Sequence, residues 1–222
     1  MLKKQDKIHA DTPHLLFCEG ADAYYFLIWL LDFLKKEADQ FSAFRVYNFG
    51  GIAELKPYLR NIAKTDDFKK IVRSICILRD AEANASNACQ SIQDALRDCE
   101  FSVPQGPCSR TNGSACYPQI ATGFVLFPSC DSRLRNGTLE DLCLSVLAQE
   151  NAKNILADAD AALKPYKKDL PQLHKNRLHT YFSLTKEFVS LKIGEAAKAR
   201  AFSFRAREIK TLKSFLLEMR GA

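Results

Sequence analysis

Three short apolar runs in the first half of the chain each stop at residues suited to acid-base or metal chemistry. HLLFC ends at Glu19 and Gly20, SAFRVYNF at Gly50 and Gly51, and IVRSICILR at Asp80 with Glu82 two residues on. A fourth run, IATGFVLFP, is followed by TLEDLCL, which carries Glu140 and Asp141. Singly, each acid reads as an ordinary loop residue. Brought together, ionised carboxylates repel one another unless a cation neutralises them, and an all-oxygen set that leaves room for water and phosphate suits Mg²⁺ or Mn²⁺.

What would bring them together is the order of elements. HLLFC is followed by DAYYFLIWLLDFLKKEA, whose apolar residues recur at helical spacing. SAFRVYNFGG, rich in aromatic and β-branched residues, leads into IAELKPYLRNIAK, and IVRSICILRD leads into ANASNACQSIQDALRDC. Three strand-helix units in series predict a parallel sheet with right-handed crossovers, an α/β fold. In such a sheet ligands bind outside the carboxyl ends of the strands, which is where Glu19, Asp80 and Glu82 fall, with Glu140 and Asp141 projecting toward the same edge. Gly50 and Gly51 suit a tight backbone turn, either beside the site or as a plain strand-to-helix connection. Thr138 with Asp141 three residues on also has the form of a capping box.

Composition sets limits. The 222 residues carry 32 Lys+Arg against 26 Asp+Glu, a net charge of +6, and are 47% hydrophobic, which excludes a disordered chain. The charge permits a polyanionic partner without demanding one. No apolar run approaches the roughly 18 residues of a membrane span, and the first residues show no secretory pattern, so a cytoplasmic protein with no membrane partner is expected. Eight cysteines are present without a Cys-x-x-Cys pair. Cys18, Cys76 and Cys143 sit in apolar runs as small buried hydrophobes, whereas Cys108 and Cys116, flanking a Gly/Ser/Asn loop, could pair or hold a metal.

Beyond Glu150 the sequence reads as helices: AKNILADADAALKPYKKD, KNRLHTYFSLTKEFVSL and AREIKTLKSFLLEMR. The expected organisation is an α/β domain over residues 14–148 with a helical extension, 149–222, packed on it. Lys175 and His179 lie i,i+4 on one helix face and are the basic pair best placed to meet a phosphate, a solvated face being the plainer role. Arg205 and Arg207, with Lys198, Arg200 and Lys210, make the C-terminal region basic enough to track a phosphate backbone or simply to keep the chain soluble.

Taken in order, these residues resemble a family. LLFCEGADAYYFLIWLL is similar to the first motif of TOPRIM domains, an apolar strand ending in Glu-Gly. ICILRDAEAN is similar to the second, a strand ending in Asp-x-Asp, with Glu82 where the second Asp is usual. The succession EGAD, YNFGGIAEL, ILRDAEAN, FVLFP, NGTLEDLCL and KNRLHTYF resembles an uncharacterised family of stand-alone TOPRIM-like proteins, a domain-of-unknown-function family related to the OLD-type nucleases. It covers the chain from Leu15 to about Phe215.

That resemblance implies a TOPRIM-like Rossmannoid sheet of about four strands and Mg²⁺-dependent phosphodiester cleavage of DNA or RNA. Asp80 and Glu82 would hold the ion, Glu19 would ligate it or act as general acid/base, and Glu140 with Asp141 could hold a second ion. Gly20 completes the first motif, and Asp22 is a supporting ligand or a helix N-cap. The family's first motif commonly reads Glu-Gly-Lys-Asp-Asp; Ala21 and Ala23 depart from it here, which removes a phosphate contact and an acid. Those departures motivate a second reading, a non-catalytic nucleotide- or nucleic-acid-binding regulator. A third is hydrolysis of a small phosphorylated metabolite, with the Gly/Pro/Ser-rich stretch 102–119 as a lid.

Overall fold

The computed structural model describes residues 8–149 and 152–221. Its four strands are β1 (His14–Glu19), β2 (Phe44–Gly50), β3 (Ser74–Asp80) and β4 (Ala121–Phe127), in the order β2-β1-β3-β4 with every neighbouring pair parallel. Most strand residues are apolar because both faces of the sheet are covered, the polar ones being Arg45 and Asn48 of the edge strand β2 and residues at the strand ends. Alternate residues separate the two cores. Leu16, Cys18, Cys76, Leu78, Val125 and Phe127 face one side, and Leu15, Phe17, Ile75, Ile77, Phe124 and Leu126 face the other.

The second face is closed by α2 (Ile52–Ala63), α3 (Asp66–Ile71) and α4 (Ala85–Asp98), through Leu55, Leu59, Phe68, Ile92 and Leu96. The first is closed by α1 (Gly20–Glu37), whose Ala23, Phe26, Leu27, Leu30, Leu31 and Leu34 form one buried stripe, and by α5 (Leu139–Ala148). The later helices are α6 (Lys153–Leu163), α7 (Leu173–Ser183), α8 (Ile193–Lys198) and α9 (Arg207–Arg220). They add Leu156, Leu178, Phe182, Ala196, Leu212 and Phe215 to that same core cluster, and the turn between α8 and α9 adds Phe202, so the sheet and the helical extension share one interior. Gly123 in β4 seats α9: a Cβ there would stand 2.5 Å from Met219 Sδ and 2.8 Å from Phe215 Cζ.

Several local expectations change. The third strand begins at Ser74 rather than Ile71, because Asp66–Ile71 forms the short α3, too brief to show helical periodicity. The helix expected over KNRLHTYFSLTKEFVSL ends at Ser183 and is followed by turns up to α8. Cys108 and Cys116 are free, as are the other six cysteines, and Cys18, Cys76 and Cys143 are buried. The stretch 102–119 is bonded along the open edge of β4, with Thr111 bridging Thr122 and Cys108 N–H donating to Phe124 O at 2.8 Å. It blocks an edge that would otherwise pair with another chain, and those anchors hold it along the strand rather than over the strand ends as a lid. Among the described residues no helix is long and apolar enough to cross a membrane.

If sheet and extension are one cooperative unit, Phe215→Ala should cost about 3–5 kcal/mol. Urea unfolding should keep a single transition shared by the tryptophan signal and the far-ultraviolet signal. A separate early transition confined to helix loss would show that the extension folds independently.

Candidate active site

The chain runs from β1 to β2 on one side, then crosses back to β3 on the other, so the order reverses between β1 and β3. A crevice at the carboxyl ends of the strands is expected at such a reversal. The residues there are Glu19, closing β1, and Asp80, closing β3. Gly20 and Gly50 both adopt left-handed backbone, with φ of 81° and 92°, and both donate N–H to Asn48 Oδ1, at 3.1 and 2.8 Å. Asn48 thereby locks the turns after β1 and β2 together. Gly51 precedes α2 in an extended conformation and needs no glycine for its φ.

Arg79 is the residue the motifs concealed. Its side chain is 7% exposed, with Nε 3.1 Å from Glu19 Oε2. The two are not aligned as a hydrogen bond, and each is a buried polar atom without such a partner. Arg79 Nη1 donates to Ser91 Oγ on α4 at 2.7 Å. Burial pushes the Glu19 carboxyl up, Arg79 opposes that, the Glu82 charge adds to it, and the Ile52 N–H at the start of α2 again opposes it.

Asp80 Oδ1 accepts the Leu139 N–H at 2.8 Å, tying the end of β3 to the start of α5. Burial pushes the Asp80 carboxyl up to about 7; the Leu139 N–H works against that shift, while the nearby Glu140, Glu82 and Glu19 charges reinforce it. Glu82 is exposed and has φ of 55°. Reciprocal backbone hydrogen bonds of 2.8 Å with Gly137 hold it in this uncommon conformation.

The first turn of α5 splits the expected second pair. Glu140 is buried and faces Lys175 on α7, with Nζ 3.6 Å from Oε1. Asp141 instead completes the capping box, its Oδ2 accepting Thr138 N–H at 2.9 Å, and lines a different cavity with Arg207. Expected as a metal ligand, Asp141 is therefore taken by the helix end, whose unpaired N–H groups attract a carboxylate.

Asp22 is not a helix N-cap either. Glu19 holds that position, and Asp22 sits inside the first turn of α1. Partial burial and then the Glu140 charge push the Asp22 carboxyl up, while Lys175, His179 and Lys192 oppose them. The expected Lys175/His179 pair does lie beside the carboxylate edge, and Lys192, in a turn with no periodic pattern to mark it, joins them. Arg205 does not: it lies 3.5 Å from Glu37 at the far end of α1, a helix of 18 residues and thus about 27 Å long.

Glu19, Asp80, Glu82, Glu140 and Asp22 thus influence one another electrostatically, but most are separately engaged: Glu19 by Arg79, Asp80 by Leu139 N–H, Glu140 by Lys175. Among the described residues no three His, Cys, Asp or Glu side chains are grouped closely enough to hold an ion as they stand.

The fold and this edge define a four-stranded parallel α/β protein with a crowded carboxylate centre at its strand reversal. The chain belongs to the family described as protein of unknown function (DUF3226), whose model matches residues 13–220. No curated protein and no solved structure matches it.

Asp80 gives a pH test. Its ordinary value is 3.8 and its folded value about 7, so folding favours the protonated acid. Stability is then lost as pH rises from about 4 to 7, by up to about 4 kcal/mol at full ionisation. Asp80→Asn keeps an oxygen for Leu139 N–H but carries no charge. In chelator the variant should melt several degrees above wild type at pH 8 and level with it at pH 4, measured by calorimetry. A variant no more stable than wild type at pH 8 would contradict this reading of the site.

Proposed function

We propose that the strand-end carboxylates form a divalent-cation-dependent centre that cleaves phosphodiester bonds in DNA or RNA, related to the TOPRIM and OLD-type nucleases that the sequence resembles. The observation that carries this reading is Asp80: a half-buried acid at the sheet's reversal point, whose carboxyl is pushed up to about 7 by burial and by three neighbouring carboxylates. Such crowding is costly in an unliganded fold and is relieved by a hard cation. The donor set suits that cation by chemistry, being all oxygen, and an entering ion would take the place of Arg79 Nε, which stands 3.1 Å from Glu19 Oε2.

Glu19, Asp80 and Glu82 would hold Mg²⁺ or Mn²⁺, with Asp22 in support. An ion held there would supply polarisation of the phosphoryl oxygen and offset the charge that builds during displacement. Glu19, its carboxyl raised by burial, is suited to carrying a proton at the attacking or leaving oxygen. Lys175 and Lys192 border the edge as cations for the substrate phosphate, with His179 beside them as a further polar contact. Eight free thiols suit a cytoplasmic setting.

The contact between Arg79 and Glu19 favours a second reading. Here the edge is neutralised by the chain's own cation and binds a nucleotide or nucleic acid without turnover.

Purified protein incubated with single-stranded, duplex and supercoiled substrates in Mg²⁺ or Mn²⁺ decides between them. Cleavage is expected, reduced about a hundredfold or more in Glu19→Gln and Asp80→Asn. Wild-type cleavage no better than that of the two variants would end the nuclease reading. Salt-sensitive binding without cleavage would favour the regulator.

A further inference from the structure

On the other side of the first turn of α5 from Glu140, the loop that follows β4 encloses a cavity of about 220 Å³. Its walls are the residues that leave the strand, Pro128, Ser129 and Asp131, the arginines 133 and 135, the start of α5, and the first turns of α9. Three acids and three arginines line it, which by charge alone cancel. Their engagements differ.

Asp131 is held by Arg133, whose Nε donates to it at 2.8 Å and whose Nη2 also pairs with it. Asp141 is held by the backbone of Thr138. Glu208 accepts from Gln149 Nε2 and, at 3.3 Å, from Ser145 Oγ. All three acids therefore have partners of their own. Arg135 and Arg207, both exposed, make no ion pair among the described residues. They act on Asp131 and Glu208 only through the field, helping to hold those carboxyls below their ordinary range.

A second observation comes from the loop that leaves β4. Ser129 is 7% exposed, and its Oγ is a buried hydroxyl with no hydrogen-bond partner. A buried hydroxyl left unpaired destabilises the fold unless a ligand or water meets it. Two guanidinium groups without ion pairs and, just behind the cavity wall, an orphaned hydroxyl supply donors that a tetrahedral oxyanion takes, every acid there being already hydrogen-bonded.

We propose that this cavity binds a phosphate group through Arg135 and Arg207, with the Ser129 hydroxyl turning into the cavity to donate to it. The identification of that group as a backbone phosphate of a polynucleotide, next to the one held at the carboxylate edge, rests on the proposed function above. The cavity and the edge share the first turn of α5, Asp141 lining one and Glu140 facing the other, so a strand crossing the ends of β3 and β4 would present successive phosphates to both. Arg207, expected from the sequence as a phosphate contact, enters here, and Arg135 joins it.

The test uses the full chain, with Arg135→Gln/Arg207→Gln as the variant and Glu19→Gln as a control that spares the cavity. At constant ionic strength, inorganic phosphate should raise the melting temperature of wild type and of Glu19→Gln but not of the double variant. A Ser129→Ala chain should show a reduced effect. For a fluorescently labelled single-stranded oligonucleotide, the slope of log affinity against log salt should fall by about 0.7 for each lost contact, hence by about 1.4 in the double variant.

Phosphate stabilisation abolished in the double variant, with an unchanged oligonucleotide slope, would keep the phosphate site and assign it to a small phosphorylated ligand. Stabilisation by phosphate equal in wild type and double variant, or absent from both, would overturn the site, whatever Glu19→Gln does to cleavage. Loss of cleavage in Glu19→Gln with phosphate binding intact would separate the two centres.

Discussion

The hydrogen bond from Leu139 N–H to Asp80 Oδ1 joins the end of the central strand β3 to the first turn of α5, and the candidate site is arranged around it. The N-terminus of a helix carries unpaired N–H groups and a partial positive charge, so a carboxylate there is favourable. Yet the same turn brings Glu140, while the neighbouring strand brings Glu19, and the Asp80 carboxyl is pushed up to about 7 in spite of the bond. Burial and like charge outweigh one amide donor. The fold thus gathers acids at one edge and leaves them incompletely neutralised.

What offsets the crowding is distributed. Arg79 reaches Glu19 from within β3, on the face covered by α4, and Lys175 reaches Glu140 from α7. The helical extension is therefore more than a cover for the sheet: α7 and the turn before α8 supply the cations that face Asp22 and Glu140. Because α7, through Leu178 and Phe182, and α8, through Ile193, share a core with β1 and β4, those cations stand on a scaffold continuous with the sheet. An acidic edge bordered by basic side chains suits an anionic substrate carrying its own cation.

Much of this was legible in the sequence. Parallel strands buried on both faces must be apolar, so their ends show as abrupt changes from HLLFC to Glu19 and from ICIL to Asp80, and the family model spans nearly the same stretch as the resemblance. The capping box at Thr138 was legible too, but it competed with the reading of Asp141 as a ligand, and the helix end won because its amides are one turn away. Arg79 was hidden because one charge near the end of an apolar run looks like a solvent-facing residue. Only the placement of β3 between β1 and β4 shows that it is buried and has to be paired. Asn48 and Lys192 were hidden for a different reason: each acts across a turn, through backbone geometry that no residue pattern encodes.

A carboxylate edge built for a cation ionises when the cation binds. That behaviour is tested most directly by a carbon-13 carboxyl NMR titration of Asp80, run with and without Mg²⁺. The account predicts a midpoint near 7 in chelator, falling by at least one unit in saturating Mg²⁺, because the ion favours the ionised acid. A midpoint near the ordinary 3.8 in chelator, or one that Mg²⁺ leaves unmoved, would contradict it.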